Sequence, residues 1–368
     1  MTLDLQALLK ATLEAGGSDL HLATGQPPLI RLRGKMVRSQ AAPLDNEGAR
    51  NLVFSVMSEG HRKVFESGAE VDFAFELPGL ARFRANVFRQ RHGISAVYRV
   101  IVTKIRTLDD LGAPPILREL CMRERGLVLV TGPTGSGKST TLAAMINHVN
   151  EHRHGHIITI EDPIEFVHES KKCLVQQREV GAHTESFSAA LRSALREDPD
   201  ILLVGELRDL ETTALAVTAA ETGHLVFGTL HTNSAAKTID RLIDIFPGDR
   251  QAQIRTMLSE SLEGVIAQSL LPTADGKGRA AALEILVGVP ALRNLIREGK
   301  TTQIASVMQV GSQHGMQTLD QAIMDLLAAG KISKEEAVAR TNNPRLVEQP
   351  VAGAGAGGRQ PGKLVVRP

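Results

Sequence analysis

Apolar residues fall at Leu5, Leu8, Leu9 and Leu13, with Thr12 beside them, at the spacing of one helical face, and Gly16-Gly17 stops that helix. The stretches 18–22 and 29–33 alternate instead, as half-buried strands do, with Pro27-Pro28 parting them. A helical stretch follows over about 46–64. Val71, Phe73, Phe75 and Leu77 then alternate with acidic or small residues, and 82–89 with 94–99 predict an antiparallel hairpin through His92-Gly93. These elements predict a small α+β domain over residues 1–100. Residues 101–116, with Thr-Leu-Asp-Asp-Leu at 107–111 and Pro114-Pro115, read as a linker. Beyond it the period changes. Apolar runs at 127–131, 156–161, 200–205 and 224–230 predict buried strands, separated by helical patterns at 139–150, 186–197 and 209–222. That rhythm predicts an α/β domain over 117–345, with a mostly parallel sheet, helices on both faces and a ligand at the C-terminal strand edge. From about 234 to 341 the pattern reads as mostly helical. The end of the chain, 346–368, is expected to be a disordered tail, since its small-residue run from Val351 offers nothing to bury.

The chain has 368 residues, enough for two cores. Its 42 Lys+Arg balance 41 Asp+Glu, with one Tyr and no Trp, so the basic, aromatic footprint of a nucleic-acid translocase is missing. No run approaches the ~18 apolar residues of a membrane span, and Met1 opens no charged leader with an apolar core, so the expectation is a soluble, cytoplasmic protein. Cys121 and Cys173 are too few for a four-cysteine zinc element and read as inert buried thiols.

The chemistry begins where strand 127–131 ends. Gly132, Pro133, Thr134, Gly135, Ser136, Gly137, Lys138, Ser139 and Thr140 match the phosphate-binding pattern G-x-x-x-x-G-K-[ST]. Glycines let the main chain turn its N–H groups around a triphosphate, Lys138 supplies a cation for the β- and γ-phosphates, and the Ser139 hydroxyl can ligate magnesium. The strand before this loop and the helix after it are the required context, with the helix N-terminus facing the anion. Strand 156–161 runs straight into Glu161, Asp162 and Glu165; either glutamate could orient or deprotonate an attacking water. The next buried strand ends in Gly205-Glu206, so Glu206 is expected to supply the negative charge near magnesium. Arg208 and Asp209 read as an ordinary surface pair. His224 and His231 close the two ends of strand 224–230. Roughly 23 Å of strand between them argues against a shared zinc, and His231 is the better candidate for a contact to the γ-phosphate. Arginines cluster at 82, 84, 89, 91 and 99, and Arg84 and Arg99 are the candidates for neutralising transition-state charge.

Taken together, these blocks resemble the type II/IV secretion ATPase superfamily, and within it the type IV pilus retraction ATPases. The phosphate loop alone is generic. Gly-Glu-Leu-Arg-Asp-Leu-Glu-Thr at 205–212, then Ala-Ala-Glu-Thr-Gly-His at 219–224, is more specific. Ala-Leu-Arg-Asn-Leu-Ile-Arg-Glu at 291–298 resembles the signature of the retraction branch, with Leu292 in place of isoleucine. The resemblance implies a PAS-like N-terminal domain, a RecA-like P-loop ATPase domain and a homo-hexameric ring. It implies hydrolysis of ATP with Mg²⁺ at the cytoplasmic face of the inner membrane, on a pilus platform protein and beside an accessory retraction ATPase. Contact with the membrane would run only through partners. The alternatives within the same superfamily are an accessory retraction paralogue or another secretion-system ATPase.

Overall fold

The computed structural model describes residues 3–32, 34–101 and 105–348. The first sheet is built from β1 (Asp19–Ala23), β2 (Leu29–Leu32), β3 (Lys35–Arg38), β4 (Val71–Leu77), β5 (Ala81–Gln90) and β6 (Gly93–Ile101), in the order β3-β2-β1-β6-β5-β4. Every pairing in it is antiparallel. The alternation seen in the sequence turns one face of the sheet inward, where Phe83, Val87, Leu20 and Tyr98 are buried against Leu5, Leu9, Leu52 and Phe65 from three helices. The helical stretch expected over 46–64 is two helices, Asn46–Phe54 and Glu59–Glu66, because Ser58 caps the second by accepting from His61 N–H.

The second sheet comprises β7 (Gly126–Thr131), β8 (His156–Glu161), β9 (Leu174–Glu179), β10 (Ile201–Val204), β11 (Leu225–Leu230), β12 (Leu262–Pro272) and β13 (Arg279–Val287), in the order β13-β12-β7-β11-β10-β8-β9. All neighbours are parallel except the β12–β13 pair. The central strands β7, β10 and β11 are buried along their whole length, which is why their sequences are continuous rather than alternating runs.

Three expectations need correction. The stretch 234–341 is helical over much of its length but also holds the hairpin of β12 and β13, eleven and nine residues long, which was not expected. Their Ala, Leu, Glu and Gln content favours helix locally, but pairing with β7 and burial override that propensity. The segment 101–116 is not simply a linker: Leu108 is buried, and Leu111 and Ala113 pack on the core of the second sheet. Of the expected tail, 346–348 close a Pro344–Glu348 helix with Val347 buried, and the rest lies outside the described residues.

Candidate active site

β7 delivers the chain into residues 132–137, and the Lys138–His152 helix leads out. Two glycines make the wrap feasible. Gly132 has φ +142°, and a Cβ there would lie 2.4 Å from the Gln268 carbonyl; Gly137 has φ +88°, and a Cβ would lie 2.8 Å from Gln268 Nε2. The loop is therefore seated directly on β12. Gln268, 4 % exposed, donates to the Ser136 carbonyl at 2.8 Å and accepts from Thr141 Oγ1 at 2.7 Å, tying loop and helix together. Lys138 Nζ donates to the carbonyls of Gly132 (2.8 Å) and Pro133 (3.2 Å) and sits 3.5 Å from His231 Nδ1. Burial pulls the Lys138 ammonium below the usual lysine range, against the opposing charges of Glu206 and Glu165.

Three neighbouring strand ends supply the remaining groups. β8 ends in Glu161, whose Oε1 accepts from Thr159 Oγ1 at 2.7 Å and Gln177 Nε2 at 3.2 Å. Burial raises this carboxyl above the usual range in spite of those hydrogen bonds. Glu165, four residues on, is exposed at the cavity mouth, and its backbone N–H donates to Glu161. Past β10, Gly205 fits closely against β8, where a Cβ would be 3.2 Å from the Ile160 carbonyl. Glu206 follows, with Oε2 2.7 Å from Arg208 Nη2 and Oε1 3.1 Å from His231 Nε2. Burial acts to raise the Glu206 carboxyl, but the hydrogen bond and charge of Arg208, with His231, outweigh it and hold the group below its ordinary value. His231 thus bridges Glu206 and Lys138.

These groups line a cavity of about 600 Å³ shared by Thr134, Gly135, Gly137, Lys138, Ser139, Thr140, Glu161, Glu165, Glu206 and His231, with Arg84 and Arg99 facing it from the first sheet. Pro133 and Ser136 line a smaller recess behind the loop. Asp72 grips Arg84 at both oxygens (3.1 and 2.7 Å), and Asp19 holds Arg99 Nε at 2.9 Å. The geometry separates the two histidines: His224 faces away, its Nδ1 3.0 Å from the Ala219 carbonyl at the end of the Leu210–Glu221 helix.

The surface-pair reading of Arg208 and Asp209 is wrong. Asp209 caps the Leu210–Glu221 helix by accepting from Thr212 N–H at 2.8 Å, which leaves Arg208 to pair with Glu206. Gln268 and Gln177 were also missed. For Gln268 the available signal was an amide inside an apolar run, at a position a strand would bury; Gln177 lies in the polar stretch Gln-Gln-Arg-Glu and nothing local marks it.

Among the described residues no cluster of three or more His, Cys, Asp or Glu could hold a metal, and no helix is long and apolar enough to cross a membrane. Fold and site define a mixed α/β protein with a glycine-bounded loop and a lysine facing a carboxylate-lined cleft, the build of a nucleotide-binding protein. More particularly, the chain belongs to the family described as "Type II/IV secretion system protein", whose model matches residues 3–343. It is 56 % identical over 342 residues to the "Type IV pilus retractation ATPase PilT" of Pseudomonas aeruginosa, covering 93 % of this chain and 99 % of that protein. It is 57 % identical over 316 residues to the "Twitching motility protein" of Neisseria gonorrhoeae, covering 86 % and 84 %. A solved structure described as "Crystal Structure of the Pilus Retraction Motor PilT and Bound ADP" matches with a TM-score of 0.88 at 49 % identity, over 94 % of this chain and 99 % of that one.

Proposed function

We propose that this chain is a magnesium-dependent ATPase that drives retraction of type IV pili, acting as a homo-hexameric ring on an inner-membrane platform protein. The observation that carries the reading is the convergence of Lys138, Glu206, His231 and Glu165 on one cleft beside a glycine-bounded loop, in a chain more than half identical to a retraction ATPase over nearly its full length. The residues fit a triphosphate. Ser136 Oγ is buried without a hydrogen-bond partner among the described residues, and the Lys138 ammonium rests on carbonyls of its own loop, contacts that phosphate oxygens would replace. Ser139 and Glu206 offer the hard oxygen donors that suit magnesium, which when bound neutralises charge on the β- and γ-phosphates.

Within this reading the residues divide the work. Lys138 holds the terminal phosphates. Glu206 stays ionised beside Arg208, and His231 transmits its position to the lysine. Glu165, exposed at the mouth, takes the proton from the attacking water, while Glu161, occupied by Thr159 and Gln177, braces the turn that presents it. Arg84 and Arg99 bring positive charge from the first sheet. The finer division into a PAS-like domain (1–100) and a RecA-like domain (117–345), residence at the cytoplasmic face of the inner membrane, and an accessory retraction ATPase as partner belong to this same proposal.

The test is phosphate release from ATP with and without Mg²⁺, followed by pilus retraction in cells carrying variants. Lys138→Ala and Glu165→Gln are each expected to lower turnover by about 10²-fold or more and to stop retraction. Magnesium-independent turnover, or normal turnover in both variants, would overturn the assignment.

A further inference from the structure

The two sheets are joined by a partly buried ion pair that continues into the carboxylate loop. Arg82, on β5, places Nη2 2.9 Å from Oε2 of Glu179 at the end of β9, with the two side chains only 16 % and 9 % exposed. The same Glu179 oxygen accepts the backbone N–H of Ile164 at 3.0 Å. Ile164 is buried and directly precedes Glu165. Around it the strand end is firmly set: Glu179 pairs in register with Glu161, its N–H donates to His183 Nδ1 at 3.0 Å, and Val180 N–H donates to the Glu161 carbonyl at 2.9 Å. Two residues along β5 on the same strand face, Arg84 is held by Asp72 and lines the cavity that Asp162 and Glu165 also line.

We propose that Arg82 and Glu179 are positioning residues through which the relative angle of the two sheets sets the presentation of Glu165. One carboxylate oxygen serves both a cation from the first sheet and an amide of the catalytic turn. Arg82 Nε is itself buried with no partner among the described residues, so Glu179 is the group that compensates this charge. A rotation that withdraws Arg82 leaves the Glu179 carboxylate buried with one partner fewer, and it must re-orient or admit water. Either response disturbs the hydrogen bond to Ile164 N–H and, one residue on, the carboxylate that takes the proton. A motor in which turnover answers to domain angle needs such a connection, and here one side chain from the first sheet and one shared carboxylate oxygen reach the amide next to Glu165. The inference rests on the reading of Glu165 as proton acceptor.

The experiment compares Arg82→Met, Glu179→Gln and the double variant in the assembled full-length protein. Each single change is expected to lower kcat by about tenfold with KM for ATP within about threefold, and the double variant to be no slower than the slower single, because both act through one contact. A KM that rises in step with the fall in kcat, or losses that multiply in the double variant, would overturn it. Arg82→Lys, which keeps the charge and is the milder change, is followed by hydrogen exchange: amides of 161–166 are expected to exchange faster than in the parent, and unchanged exchange there would overturn the coupling. Glu165→Gln separates the two claims. Full turnover in that variant removes the proton-acceptor reading, while faster exchange in Arg82→Lys still establishes the route.

Discussion

Replacing Gln268 by methionine keeps length and volume while removing both amide hydrogen bonds. The Ser136 carbonyl then loses its buried donor and the Thr141 hydroxyl its buried acceptor. Leaving a buried polar group unsatisfied costs about 1–3 kcal/mol, but the Thr141 hydroxyl can turn to the Gly137 carbonyl of its own helix, so the sum is nearer 2–3 kcal/mol. For a domain of this size that lowers Tm by about 4–10 °C. The functional effect is separate. On the proposed function, residues 132–137 without the amide bridging loop and helix must be re-ordered on nucleotide binding, at about 1–2 kcal/mol, which weakens binding of an ADP probe roughly 5- to 30-fold. Thermal melts, together with fluorescence anisotropy of a labelled ADP, measure the two quantities on the same samples. A fall in Tm with ADP affinity unchanged within about twofold would refute the reasoning and return Gln268 to ordinary core packing.

Two further outcomes follow from the same geometry. His168 is buried at the edge of the cavity, its N–H donates to Gln177, and burial, aided by Lys171, depresses its imidazole to about 4 from 6.5. Because the folded state resists the proton that the unfolded chain accepts, this contribution is complete above about pH 6.5 and is lost as pH falls toward about 4. The loss reaches about 3 kcal/mol. Urea unfolding at pH 7 and pH 5 should show a clearly smaller acid loss in His168→Gln than in the parent; equal losses would place the acid sensitivity elsewhere. Arg293, in the 291–298 helix, is chiefly an anchor: it donates to the carbonyls of Gly288 (3.2 Å), Ser259 (3.0 Å) and Glu260 and pairs with Glu263 at 2.7 Å. Arg293→Ala should destabilise the protein by about 2–4 kcal/mol, with Arg293→Lys recovering only part because an ammonium cannot fork to several carbonyls; a melt unchanged in either variant would contradict this role.

The sequence was most informative where the requirement is local. The pattern G-x-x-x-x-G-K-[ST] is a matter of residue type and offset, so residues 132–140 could be read together with the strand and helix periods that flank them. The same holds for the buried strands β7, β10 and β11, whose unbroken apolar runs report burial on both faces. Edge strands were harder. β3 is exposed at all four positions and four of the six β9 residues are polar, so neither carries the period that would reveal it. β12 and β13 were hidden by helix-favouring residues, and with them went Gln268, since a glutamine is a loop support only if the strand under it is known.

What side chains do to one another lay beyond the sequence altogether. Arg82, Arg84 and Arg99 look equivalent along the chain, but packing gives Arg82 to Glu179, Arg84 to Asp72 and Arg99 to Asp19. Arg208 and Asp209 are adjacent in the chain, and only the turn after β10 sends one to Glu206 and the other to a helix end. By itself the sequence determined the glycine-bounded loop at 132–137, the parallel core and the acids at its strand ends, because these depend on residue type and short-range period. Tertiary structure alone decided which cation meets which acid and which strand supports the loop. Those choices depend on distances between segments up to a hundred or more residues apart, and neither local propensity nor spacing encodes them.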